Sequence, residues 1–210
     1  MKHLLIIGAR KLGREILDLV LDSIDAEGIE VKGYLDDNPN VLDGFTGYPP
    51  IISSVEDYQP QADDVFFCAL GDIKYRRHYS EMILKKGGVF INLIHPSAII
   101  GRRVKMGIGC CVGKYVTINS DVEIGSFVFI AAHAGISHDD KIGNYAHIGG
   151  HVGLGGGVIV EDDVTIHPHA YVVPNKTIHK GALVGAGSVV FTNVKEKTTV
   201  LGNPAKKVDF

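Results

Sequence analysis

"VTINSDVEIGSFVFIAAHAGI", residues 116–136, repeats one arrangement every six residues. Ile118, Ile124, Ile130 and Ile136 fall at the end of each unit, and Val116, Val122, Val128 and Ala134 stand two positions before them. The aliphatic register extends outward in both directions, from Ile94 and Ile100 through Ile142, Ile148, Leu154 and Val160 to Val184 and Val190. Alternation with period two inside a period of six points two residues of each unit inward from a short strand and leaves the rest to turn a corner. Three such sides make a coil of 18 residues, and coils stacked at strand spacing, about 4.8 Å, form a β-helix. A β-sandwich would vary its loop lengths and break the register. Gly follows the aliphatic residue at positions 101, 107, 113, 125, 143, 149, 155 and 185, where the expectation is a tight corner that needs glycine.

The first ninety residues read differently. "KHLLIIGA" is a buried strand. "LGREILDLVLDSI" is an amphipathic helix with Leu12, Ile16, Leu19 or Val20, and Ile24 on one face. "VKGYLDD" and "DVFFCALGD" are further strands, and "KYRRHYSEMILKKGG" is a helix that closes on Gly87 and Gly88. The alternation predicts a small parallel α/β sheet over residues 1–90, with the β-helix over 91–210 and the boundary near 88–95. Gly8 and Gly13 bracket the first strand-to-helix turn, "GARKLG", which has the makings of a phosphate cradle at a helix N-terminus. Arg10 stands where a dinucleotide fingerprint carries its second glycine, so that fingerprint is not met. Asp36 and Asp37 end the second strand, either as ribose ligands or as solvated loop acids.

Composition sets limits. A formal charge of -3 over 210 residues gives no electrostatic case for nucleic acid or an anionic membrane. The apolar run before Gly8 is too short for a signal peptide core or a membrane span. Cys68, Cys110 and Cys111 form no CxxC pair, so a disulfide framework is not expected and a reducing cytoplasm fits. Cys110 takes an inward slot and Cys111 has no base partner, which leaves little support for a catalytic thiol.

"SHDDKIGNYAHIG", residues 137–149, brings the chemistry. His138 beside Asp139 has the types needed for a general base whose tautomer a carboxylate fixes. His147 or a backbone N–H from a glycine corner has what an oxyanion requires. Asp140 falls in an inward slot that is otherwise small or apolar, so the coil is expected to be distorted there, unless Asp140 only caps a turn. His133, His151 and His169 lie 18 residues apart and should stack on successive coils, as solvated corner residues or facing an axis or cleft between chains.

Together with "IIGARKLGREI", "GYLDDNP", "ALGD" and the ending "VGAGSVVFTNVKEKTTVLGNPAK", these segments resemble the hexapeptide-repeat sugar acyltransferases, the group of sialic acid O-acetyltransferases and UDP- or GDP-4-amino-sugar N-acetyltransferases. The resemblance implies a left-handed β-helix, a homotrimer with acetyl-CoA lying between neighbouring helices, and an N-terminal domain that holds the sugar nucleotide. It implies acetyl transfer to an amino or hydroxyl group of a nucleotide-linked sugar, with no metal. His138 is then the general base, and Asp139 the acid that orients it. His147, Gly156 and Ala186 are the residues beside acetyl-CoA. Gly8, Asp36, Asp37, Gly71 and Asp72 are at the sugar-nucleotide end. Lys195, Lys197, Lys206 and Lys207 are either solvated or near CoA phosphates, and "GNPAK" is expected to close the last coil. Arg10 and Lys11 replace small residues of the family's turn, and "HPH" at 167–169 replaces a Gly-rich corner.

Two alternatives stand beside this. His133 and His138 resemble two ligands of the zinc carbonic anhydrases that share the fold, but the third position is Ser97, and His95 faces the wrong way. The same fold without catalysis would be a scaffold or sugar-nucleotide sensor, which the His138–Asp139 pair argues against.

Overall fold

The computed structural model describes residues 1–23 and 28–208 and divides into two compact units, Met1–Leu93 and Ile94 onward. In the first unit β1 (Lys2–Ile7) and β2 (Ile29–Leu35) flank α1 (Lys11–Ser23), followed by β3 (Ile51–Ser53), β4 (Asp64–Cys68), α2 (Ile73–Lys85) and β5 (Val89–Phe90). The strands form one parallel sheet in the order β3-β2-β1-β4-β5. Leu4 to Ile7 and Val65 to Cys68 are buried, as expected of central parallel strands with both faces covered. The edge strands β3 and β5 escape the sequence reading because three and two residues show no alternation.

The apolar face of α1 also differs from expectation. Ile16, Leu17, Leu19 and Val20 are buried, whereas Leu12 in the first turn is half-buried and lines a cavity. Ile24 lies outside the described residues. Helix α2 starts from Asp72, whose carboxylate accepts the Lys74 and Tyr75 N–H groups, and ends where Gly87 takes a φ of 82°.

The second unit is a left-handed β-helix of two-residue strands. Each strand pairs in parallel with the one 18 residues on, as in Thr117↔Gly135, Glu123↔Lys141 and Phe129↔His147. A first face runs from Ile99–Ile100 to Val189–Val190, a second from Lys105–Met106 to Thr177–Ile178, and a third from Leu93–Ile94 to the C-terminal strands. The core is the stack of inward residues predicted from the repeat, with Val112, Ile148, Val158, Ile166 and Val184 at 0% exposure. The register does not bury its first members. Ile94 and Ile100 stay 37% and 38% exposed, since they belong to the terminal strands of their faces and have no further coil beyond them. At the other end Thr199–Leu201 adds to the third face in parallel, and Lys206–Val208 returns antiparallel along its edge after the "GNPA" turn.

The corners correct one expectation. The glycines that follow the aliphatic residues do not carry the left-handed backbone. That conformation falls two residues later, at Arg103, Tyr115, Asp121, Phe127, His133, Asp139, Tyr145, His151, Asp163, His169 and Asn175 as well as at four glycines. The earlier glycines answer a different need, the close approach of stacked coils. A Cβ on Gly125 would come within 2.8 Å of the Asn144 nitrogen, and one on Gly143 within 2.5 Å of the Asp162 nitrogen.

Candidate active site

The corner after the first-face strand Gly135–Ile136 carries His138, Asp139 and Asp140. Asp139 adopts a φ of 62°, which a short polar side chain tolerates better than most. Its Oδ2 lies 2.7 Å from His138 Nδ1, and both side chains are 67% exposed. The hydrogen bond to Asp139, reinforced by its charge, raises the His138 pKa above the usual imidazole value. With Nδ1–H donating to the carboxylate, Nε2 keeps its lone pair. One coil further, Gly157 N–H donates to the His138 carbonyl at 3.0 Å. Gly156 lies directly under the imidazole, where a Cβ would sit 2.7 Å from Cε1 and 2.8 Å from Nε2.

Asp140 is fully buried and accepts two backbone hydrogen bonds, from Ser137 at 2.9 Å and from Val158 at 2.8 Å. The expected distortion is one lost rung. The first-face strands here retain only the Gly135↔Gly153 pair, because Ser137 N–H turns to the carboxylate. The capping role is real as well, and the two readings of Asp140 are one feature.

The other residues expected beside acetyl-CoA lie elsewhere on the coil. His147 is on the third face, its ring stacked on Phe129 with centroids 5.0 Å apart. Ala186 is exposed at the corner between the third and first faces. The His138 corner lies between the first and second faces, the edge opposite the third. A single chain therefore unites His138, Asp139 and Gly156 but keeps them apart from His147 and Ala186.

In the N-terminal unit, Gly8, Asp36, Asp37, Gly71 and Asp72 all line one cavity of about 970 Å³. Gly8 has a φ of 92°, and Gly13 packs so tightly on its carbonyl that a Cβ would come within 1.9 Å of the oxygen. Asp36 ties the turn down, accepting Ala9 N–H through Oδ2 and Asn38 N–H through Oδ1, each at 2.9 Å. Asp37 accepts from Val55 N–H and from the Tyr79 hydroxyl, a bond that pushes the Tyr79 pKa up to about 12. Arg10, Lys11 and Arg14 supply positive charge to the same cavity, with the Arg14 guanidinium 3.8 Å from the Phe45 ring centroid. Sequence reasoning missed Arg14, Asn38, Phe45, Tyr75 and Tyr79 as lining residues. Tyr75 and Tyr79 did carry a signal, since residues four apart share a helix face.

His133, His151 and His169 form the predicted column, with exposed parallel rings 4.7 Å apart. Tyr115 extends it, stacked on His133 at 5.1 Å. His133 and His138 sit at opposite ends of one first-face strand, and Ser97 hydroxyl is engaged with His95 Nδ1 at 2.7 Å. No three His, Cys, Asp or Glu side chains among the described residues are grouped to hold a metal, and no helix among them is long and apolar enough to cross a membrane.

Comparison with known proteins agrees with this layout. Residues 3–83 match the PglD N-terminal domain family. The chain is 29% identical over 213 residues to GDP-perosamine N-acetyltransferase of Escherichia coli O157:H7, covering 97% of this chain and 95% of the relative. PerB from Caulobacter crescentus, solved in complex with CoA and GDP-perosamine, superposes with a TM-score of 0.89 at 28% identity, over 100% of this chain and 98% of that one. The acetyltransferase domain of PglB from Neisseria gonorrhoeae gives a TM-score of 0.89 at 25% identity, over 99% of this chain and all of that domain. Both units of the chain are thus matched, and over its whole length the chain is similar to sugar N-acetyltransferases built on the same left-handed β-helix.

Proposed function

We propose that the chain transfers the acetyl group of acetyl-CoA to the amino group of a nucleotide-linked amino sugar, with His138 as general base. The observation that carries the reading is the His138–Asp139 pair, an exposed imidazole oriented by a carboxylate at 2.7 Å with Nε2 free to act. The acceptor amine attacks the thioester carbonyl carbon, and Nε2 takes its proton as the C–N bond forms. The tetrahedral intermediate then expels CoA by breaking the C–S bond, and the imidazolium returns the proton to sulfur. General-base help of this kind is worth about 10²–10⁴ in rate. The cavity of the N-terminal unit, with Gly8, Asp36, Asp37, Gly71 and Asp72 in its wall, is the site for the sugar nucleotide, and a GDP-linked sugar is the first acceptor to try, as in the Escherichia coli and Caulobacter relatives.

The separation of His138 from His147 and Ala186 supports a homotrimer. In it the base of one chain works beside the third face of its neighbour, and acetyl-CoA lies between with Gly156 and Ala186 against its arm. Cys68, Cys110 and Cys111, buried and in no disulfide, and the use of acetyl-CoA fit the cytoplasm. The test is thiol release from acetyl-CoA with GDP- and UDP-linked amino sugars and sialic acid as acceptors. Acceptor-dependent release that falls by about 10² or more in His138→Ala supports both reaction and base. Release that ignores His138 removes the mechanism, and no release with any acceptor favours the scaffold.

A further inference from the structure

We propose that Asp140 is a positioning residue that holds His138 in place from inside the coil. This rests on the acetyl-transfer reading of His138. Elsewhere in its inward row the chain uses Val116, Val122, Val128, Ala134, Ala146 and Val152, so a fully buried carboxylate is a departure from the repeat. Its two oxygens divide the labour. Oδ2 accepts Ser137 N–H, the residue before His138, and Oδ1 accepts Val158 N–H, the residue after Gly156 and Gly157. In the neighbouring coils the N–H at the Ser137 register goes to the coil above, Asn119 to Ile136 and Gly155 to Val172. At His138 alone of these three coils the carboxylate takes that donor instead.

The result is a clamp. The turn that carries the imidazole and the turn on which it rests share one buried acceptor, and Gly157 N–H closes the circuit on the His138 carbonyl. An aliphatic residue would fill the slot and return Ser137 to the ladder, re-aiming the corner. Burial holds the Asp140 pKa up at about 6, so the carboxylate is kept there against its own solvation preference.

The experiment uses the full-length chain with Asp140→Val, which restores the row's usual residue, and Asp140→Asn, which keeps its shape. Turnover is measured with acetyl-CoA and GDP-perosamine, together with melting temperature and the NOE between His138 Hε1 and Gly156 Hα. The expected result is a kcat lowered about 10-fold or more in folded variants, with both KM values held within about 2-fold and the NOE weakened or lost. A kcat within about 2-fold of the parent, or a lowered melting temperature with the NOE and kcat intact, overturns the proposal. Should both variants fail to fold, amide exchange in the parent decides. Protected Ser137 and Val158 amides together with the NOE support the clamp, and open exchange at either amide overturns it. If the parent transfers acetyl to no acceptor, the functional reading fails separately, while the NOE and exchange still decide whether Asp140 positions the imidazole.

Discussion

Gly156→Ala adds one methyl group against the ring of His138, the proposed base. The three atoms nearest to that Cβ are all in the His138 ring, with Cε1 at 2.7 Å and Nε2 at 2.8 Å against an ordinary contact distance of 3.4 Å or more. The ring must therefore withdraw by about 0.7 Å, and a misplacement near 1 Å at a reacting group costs on the order of 10²-fold in rate. The expectation is a kcat lowered about 10- to 100-fold, equivalent to about 1.4–2.7 kcal/mol of barrier. Folding should not suffer. Gly156 is not among the left-handed residues, and the exposed imidazole can swing away without disturbing the core. Stability should rise slightly, by about 0.4–1 kcal/mol, as the unfolded chain loses freedom. The assay is CoA thiol release under saturating acetyl-CoA and acceptor, with melting temperature alongside and the same change made in a His138→Ala background. With the ring gone, the added methyl has nothing to displace, so the second substitution should be silent there. A raised KM for acetyl-CoA with unchanged kcat would refute the reasoning, since the methyl would then act on the CoA arm and not through the ring. Equal slowing in the His138→Ala background would refute it too.

Asp139→Asn should lower kcat about 10²-fold or more, since an amide can donate to Nδ1 and favour the wrong tautomer. Asp139 raises the His138 pKa, and activity requires neutral imidazole, so the acid limb of kcat/KM should move to lower pH in this variant; a limb that stays in place refutes the assignment. Asp140 gives a stability signature. Burial raises its pKa from 3.8 to about 6, with Asp139 raising and His138 lowering it, so its favourable contribution is complete below pH 3.8 and is lost as pH climbs through 6, about 3 kcal/mol in all. Asp140→Val should therefore gain stability relative to the parent across that window in denaturant titrations, and a pH-independent difference would contradict it. Arg10→Ala and Lys11→Ala should each raise the KM for the sugar nucleotide about 10-fold with kcat nearly unchanged, the loss of one charge-assisted contact, and initial rates across acceptor concentration show whether they do.

The helix was legible because its physics is periodic. One inward aliphatic residue per six, kept from Ile94 to Val190, fixes the side length, and a fixed side length fixes the three-sided coil. The corner conformation was not legible in the same way. Each coil stacks its corners so closely that the glycine signal marks a steric contact, while the left-handed position goes to His133, Tyr145 or Phe127, residue types that carry no warning of it. In the N-terminal unit, β1, β2, β4 and both helices declared themselves through burial and amphipathic spacing. The cavity wall did not, because Arg14, Phe45 and Tyr79 come from segments far apart in the chain and meet only after the sheet forms.

The corner proposed to be active stands out in the sequence for the reason that makes it costly. A repeat that fills most of its inward row with small or aliphatic residues exposes a buried departure, and Asp140 is such a departure, next to a histidine with a carboxylate at hydrogen-bond distance on its own corner. Local patterns of this kind show which residues break the rule. They do not show what the chemistry faces. His147 and Ala186 satisfy the repeat as well as any neighbour, and their place on the far side of the coil from His138 becomes informative only when the three-sided cross-section is in view. A coil whose proposed base stands exposed at one edge, with its other expected acetyl-CoA residues away from that edge, has the two halves of a site that successive copies around a threefold axis would join. Mixing His138→Ala chains with His147→Ala chains tests this directly. Two inactive proteins that regain activity when refolded together place the halves on different chains, and a mixture that stays inactive places them on one.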